Sequence, residues 1–209
     1  MTPPGRPVQN EPRTRVPIRH EMVAGLILLG LSLVAAAVIG LHPGPTALDR
    51  WGFSVFSPSP HSTFFLRVLH LGGLPVLVGG SVLAGLVVVG EDRRTAIACV
   101  CGPLVAVVLV DWVIKPYVGR RYVGELSYPS GSVTVVAAVA ASWVLAVPRR
   151  LRWPAIAVGV ILVSLMSVAV VVVRWHYPSD ALGGAIFAVG VVLEFDSLAH
   201  LPGRKRTGI

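Results

Sequence analysis

Long uncharged apolar blocks alternate with short polar turns along most of the chain. Residues 22–41, 71–90 and 154–173 each run 20 positions without a charged side chain. As helices, such segments cross about 30 Å of hydrocarbon. Three further apolar segments are less uniform. Residues 95–114 carry Asp111 near one end, residues 133–147 are short and extend back into the preceding loop, and residues 181–195 are interrupted by Glu194. The abundant Gly and Ala suit close helix packing in lipid. The many Val residues do not signal strands, because a lipid-exposed sheet edge is forbidden and no alternating barrel pattern is present. The pattern predicts an all-α polytopic membrane protein, a bundle of six transmembrane helices over residues 21–198. A Pro- and Arg-rich segment, 1–20, reads as a disordered basic cytoplasmic tail, and 199–209 as a second basic tail.

Composition agrees. Of the 209 residues 54% are hydrophobic and only 13% charged, about half the charged fraction of a soluble domain. The net charge of +8 would suit nucleic acid were it gathered in one patch, but it is distributed by loop. Arg6, Arg13, Arg15, Arg19, Arg93, Arg94, Arg149, Arg150, Arg152, Arg204, Lys205 and Arg206 fall on one side of a six-span arrangement. Arg50, Arg67, Lys115, Arg120, Arg121 and Arg174 fall on the other. The positive-inside rule places both termini in the cytoplasm of a cell membrane. The first span is read as a retained helix rather than a cleaved signal. Cys99 and Cys101, two apart on a span, point in different directions and read as small apolar residues, not as a disulfide or metal pair.

The outer side holds the candidate chemistry. The first external loop, 42–70, mixes Trp51, Phe53, Phe56, Phe64 and Phe65 with Pro and Ser, as an interfacial segment does. In KPYVGRRY (115–122), Lys115, Arg120 and Arg121 crowd three cations around a turn at Gly119, an arrangement favoured by a bound anion. Asp111, four residues before Lys115, can orient it. In SYPSGS (127–132), Ser130, Gly131 and Ser132 open a helix whose free N–H groups can hold phosphate oxygens, although a Ser here also serves as a plain cap. In RWHYPSD (174–180), His176 and Asp180 stand four apart. On one helical turn Asp180 would orient the imidazole and leave its other nitrogen free to attack.

This ordered set of motifs resembles the type 2 phosphatidic acid phosphatase (PAP2) superfamily, over about residues 65–195. The family pattern runs Lys, six residues, Arg-Pro; then Pro-Ser-Gly-His; then Ser-Arg, five residues, His, three residues, Asp. The resemblance implies that Lys115, Ser130 and the Gly131 amide bind phosphate, that His176 is the nucleophile forming a phosphohistidine, and that Asp180 orients it. It implies no metal and no cofactor, since side-chain cations and backbone N–H groups stabilise the transferring phosphoryl group. The chain departs from the pattern at three places. Tyr122 and Val123 stand where Arg-Pro is usual, leaving Arg120 and Arg121 to substitute. Ala169 and Val170 stand in place of Ser-Arg, with Arg174 the nearest cation. Ser132 stands where the family has its general-acid histidine, a loss that typically costs about 10²–10⁴-fold.

The expectation is therefore a membrane phosphatase of the bacterial cell envelope acting on a lipid (poly)phosphate, impaired by Ser132. Polyprenyl diphosphate leads, and phosphatidylglycerophosphate or phosphatidic acid follows. The alternatives are a lipid-phosphate binder with weak catalysis and a lipid phosphoryl transferase. Ser132 fits either a change that disables an otherwise normal phosphatase or a natural divergence. The expected partners are the lipid substrate and membrane lipids, not nucleic acid, and a homo-oligomer is compatible with the sequence. The orientation has a direct check: a tag fused to the C-terminus should be reached by membrane-impermeant labels only after the cytoplasmic face is opened.

Overall fold

A computed structural model describes residues 18–201. The two tails expected at the ends lie largely outside them. The first helix begins three residues inside the segment expected as a tail.

Nine helices carry the described chain: α1 (Ile18–Leu41), α2 (Ala47–Val55), α3 (Thr63–Leu69), α4 (Leu74–Val88), α5 (Arg93–Leu109), α6 (Lys115–Val118), α7 (Gly131–Ala146), α8 (Arg149–Val172) and α9 (Pro178–Ala199). Each of the six apolar segments becomes a helix: α1, α4, α5, α7, α8 and α9. Four helical stretches are long and apolar enough to cross a membrane: His20–Leu41, Arg93–Val118, Arg149–Val172 and Pro178–Ala199. A fifth span results if Thr63–Gly72 and Leu74–Val88, bent by 51°, count as one. The α7 helix is apolar but has only 16 residues. It begins at Gly131, so the segment does extend back as expected, yet it remains shorter than the other spans. Length and composition thus give a helical membrane protein with four or five spans, short of the six expected.

Packing explains which helices sit inside. The α9 helix packs against α1, α5 and α7, and α7 also packs against α4, α5 and α8. Accordingly α7 and α9 carry long runs of buried small residues, among them Val133–Val139 and Gly183, Gly184 and Ala188. By contrast α1 and α8 leave Leu33, Val34, Val160 and Ile161 outward, as lipid-facing helices do. Glu194, the interruption in the last span, packs its carboxylate on Gly25 of α1. Two glycines of α9 admit the loop that precedes α7. A Cβ on Gly183 would lie 2.6 Å from the Tyr128 ring, and one on Gly184 2.5 Å from the Ser130 carbonyl oxygen.

Between α5 and α6 the chain makes a π-helical turn, Val110–Ile114, of the kind often found at functional sites. After α6, Gly119 takes a left-handed conformation (φ 68°), and a two-stranded hairpin follows, β1 (Arg121–Tyr122) and β2 (Glu125–Leu126). Its turn has φ 49° at Val123 and 89° at Gly124. Positive φ at both central positions suits the right-handed strand twist, but is strained for the β-branched Val123.

The loops that follow α1 and α6 are tied to α9 by one buried guanidinium. Arg120 Nε donates to Pro43 O, Nη1 to Ser179 Oγ and Asp180 Oδ1, and Nη2 to Gly44 O and Asp49 Oδ2. Its five N–H groups thus meet five acceptors. Both ion pairs are 2.7 Å long with all three side chains fully buried. Asp49 reaches this position because Thr46 and Asp49 form a reciprocal cap at the start of α2. Its other oxygen accepts the Ser179 N–H at 2.8 Å.

Burial pushes the Asp49 carboxyl up, but hydrogen bonds from Arg120 and the backbone N–H groups of Ser179 and Thr46 outweigh it, and the net result lies below the ordinary 3.8. A carboxyl depressed in the folded state stabilises it above the unfolded value and loses that contribution as pH falls through the folded one. Asp49→Asn should cost about 3–5 kcal/mol, the usual result of breaking a buried pair. Thermal unfolding in detergent should show the variant's midpoint lowered at neutral pH, with less further loss than the parent below about pH 4.

Candidate phosphate site

A cleft of about 370 Å³ opens where α4, α7, the π-helical turn and the segment before α9 meet. Gly72, Leu74, Leu77, Val107 and Val135 line it together with Asp111, Lys115, Gly131, Ser132 and His176. The three motifs thus converge, although 61 positions separate Lys115 from His176 along the chain.

Lys115 Nζ lies 2.7 Å from Asp111 Oδ1, and its side chain is the less exposed of the two, 17% against 42%. The pair sits at the mouth of α7, since a Cβ on Gly131 would lie 3.3 Å from both Lys115 Nζ and Asp111 Oδ1. Gly131 therefore lets the ion pair approach the first turn of α7. The leading N–H groups of that turn lack intrahelical acceptors and favour an anion. Ser130 is the residue before this helix. Its N–H donates to the Asp180 carbonyl at 2.9 Å, and its carbonyl accepts from the Thr134 N–H. Its buried hydroxyl makes no hydrogen bond. Ser132 lies one position into α7, on the cleft wall opposite Gly72.

His176 belongs to the turn that links α8 to α9, not to a helical turn shared with Asp180 as the spacing suggested. Pro178 starts α9, and the His176 N–H donates to the Val170 carbonyl at 3.2 Å. Its Nδ1 is buried without a hydrogen bond, 3.6 Å from Asp180 Oδ2. The distance exceeds a hydrogen bond because Asp180 is already engaged. Oδ1 takes Arg120 and Oδ2 accepts the Tyr177 N–H at 3.0 Å. Asp180 thus flanks the imidazole while capping α9.

The expected cations are placed elsewhere. Arg120, read as a phosphate ligand, has every donor committed to protein acceptors and no exposure, so that expectation is corrected. Arg121 is exposed on β1 and donates to the Gly124 carbonyl. Arg174, in a left-handed conformation (φ 62°), lies 4.0 Å over the Phe53 ring. Tyr122 packs its ring 4.4 Å from that of Tyr177, centre to centre, over which Arg120 is also stacked. Val170 is fully buried beside Met166, Ala169 and Val133. Among the cleft-lining residues Lys115 is the one permanent cation, and it is paired.

Two contributors escaped the sequence reading. Asp49 was signalled only by a Thr-x-x-Asp cap pattern at 46–49, and the apolar lining gave no signal apart from belonging to spans.

No curated protein and no solved structure matches the chain. A sequence model of the PAP2 superfamily matches residues 91–199, from the start of α5 to the end of α9, a stretch that contains Asp111, Lys115, the Ser130–Ser132 turn, His176 and Asp180. The chain belongs to the PAP2 superfamily, whose membership implies phosphatase-type activity on phosphate esters.

Proposed function

We propose that the protein is a membrane lipid phosphatase that removes the terminal phosphate of a lipid (poly)phosphate through a phosphohistidine on His176. The observation that carries this reading is the mixed lining of the cleft. An imidazole, Lys115 and the start of α7 share it with Leu74, Leu77, Val107 and Val135. A phosphate head suits the first group and a hydrocarbon tail the second. The reading includes six spans with the bent α3–α4 pair and α7 both crossing, termini in the cytoplasm and the cleft facing outward.

With Nδ1 turned toward Asp180, the other imidazole nitrogen is the one available to attack phosphorus. Lys115 and the Gly131 and Ser132 N–H groups would stabilise the equatorial oxygens as the bond to the leaving group breaks. No imidazole stands at position 132 to protonate that group, and a serine hydroxyl is too weak an acid near neutral pH. This favours a leaving group that departs without a proton. Polyprenyl diphosphate supplies one, since its departing lipid phosphate is a stable anion. Phosphatidylglycerophosphate and phosphatidic acid must expel an alkoxide and are the slower substrates on this reading. The cation-poor cleft, with Arg120 withheld, also favours a second reading: a lipid-phosphate binder, or a phosphoryl transferase using the same His176.

Phosphate release in detergent separates these. Ser132→His should raise hydrolysis of phosphatidic acid by about 10²-fold or more and that of polyprenyl diphosphate by less, and a further His176→Ala should abolish both. Phosphate binding with no release from any of the three lipids, before or after Ser132→His, would favour the binder.

A further inference from the structure

The phosphate cleft contains a carboxylate that the attack by His176 does not use. Asp111 lines the same cleft as Ser132 and His176. A negative group beside a bound phosphate opposes binding by like-charge repulsion. Pairing with Lys115 relieves part of that, but also withdraws the cleft's one permanent cation from the phosphate. Only Oδ1 is held by Lys115, at 2.7 Å. The carboxylate is 42% exposed, and its Oδ2 would lie 3.9 Å from a Cβ on Gly131, at the mouth of α7 where the phosphate would sit. The π-helical turn Val110–Ile114 carries Asp111, in a conformation rare enough to mark a functional position. Among the cleft-lining residues the groups able to accept a proton from water are His176, consumed as nucleophile, and Asp111.

We infer that Asp111 is the general base of the second half-reaction, a role resting on the phosphohistidine reading above. Its free oxygen takes a proton from the water that attacks phosphorus of phospho-His176. The new P–O bond forms as the P–N bond breaks, and the electron pair of that bond returns to the imidazole. Inorganic phosphate leaves with the second proton of the water, and the proton on Asp111 passes to solvent through the open cleft. A site without an acid at position 132 thus keeps a base for the step in which water must be activated. The first step, with a lipid phosphate as leaving group, proceeds without proton transfer.

The test uses the full-length protein in detergent with polyprenyl diphosphate labelled in its terminal phosphate. Rapid quenching should show that Asp111→Asn still takes up label on His176 in a burst approaching one per chain. Steady-state release should fall about 10²–10⁴-fold, KM should fall with it so that kcat/KM changes little, and Asp111→Glu should restore part of the release. The label should be acid-labile and base-stable, and its capture also shows that the variant is folded. Unchanged turnover in Asp111→Asn overturns the inference. So does a raised KM without accumulated phosphoenzyme, the result of a carboxylate that only positions Lys115. If the parent protein itself takes up no label that His176→Ala removes, the phosphohistidine reading fails, and with it this role.

Discussion

The buried Arg120 guanidinium is the constraint on which the cleft end of the molecule depends. Its acceptors come from the Pro43–Gly44 turn, Asp49 of α2 and the start of α9 at Ser179 and Asp180. A buried cation between two carboxylates is expensive to desolvate and is tolerated only when every donor is satisfied. That condition is met here and leaves little freedom to the backbone at Ser179. The Ser130 N–H then hydrogen-bonds to the Asp180 carbonyl. The position of the α7 start, and with it the mouth of the cleft, follows from where α9 is held.

The same interaction accounts for how Asp180 behaves. An aspartate four residues after a histidine suggests a direct imidazole–carboxylate bond, but here the carboxylate is shared among Arg120, the α9 cap and the imidazole, and the imidazole is the most distant. Asp180 therefore lies beside His176, 3.6 Å from its Nδ1, without a short hydrogen bond to it.

The sequence showed the six apolar helices because lipid imposes a simple rule on side chains, and the motif residues because their spacing survives. Lys115, Gly131, Ser132 and His176 do line one cleft. The fate of Arg120 was not legible. Arg120 and Arg121 are adjacent and chemically identical, yet one is fully buried and the other exposed on a hairpin edge. The difference lies in Asp49, 71 positions away along the chain, and pairing over such a separation leaves no periodic trace. The 3.6-residue period likewise misplaced His176, because the Val170 carbonyl draws the Trp175 and His176 N–H groups into a turn and α9 starts only at Pro178. The hairpin escaped notice because Val123-Gly124 is a poor advertisement for a turn with positive φ at both centres.

The departures from the family pattern act together. Tyr122 belongs to an aromatic stack with Tyr177 and Phe53, Val170 to the core, and Ser132 to a close contact with Gly72. None is an exposed residue, so a change at any of them touches its surroundings. A cleft with one paired cation stabilises a developing phosphoryl charge less than a cleft with three, and a cleft without an acid cannot help a poor leaving group. Both deficits weigh least on a substrate whose leaving group is already a stable anion. On the phosphatase reading proposed above, the chemistry that remains would select by leaving group, and the apolar lining would accept a hydrocarbon chain without reading its length.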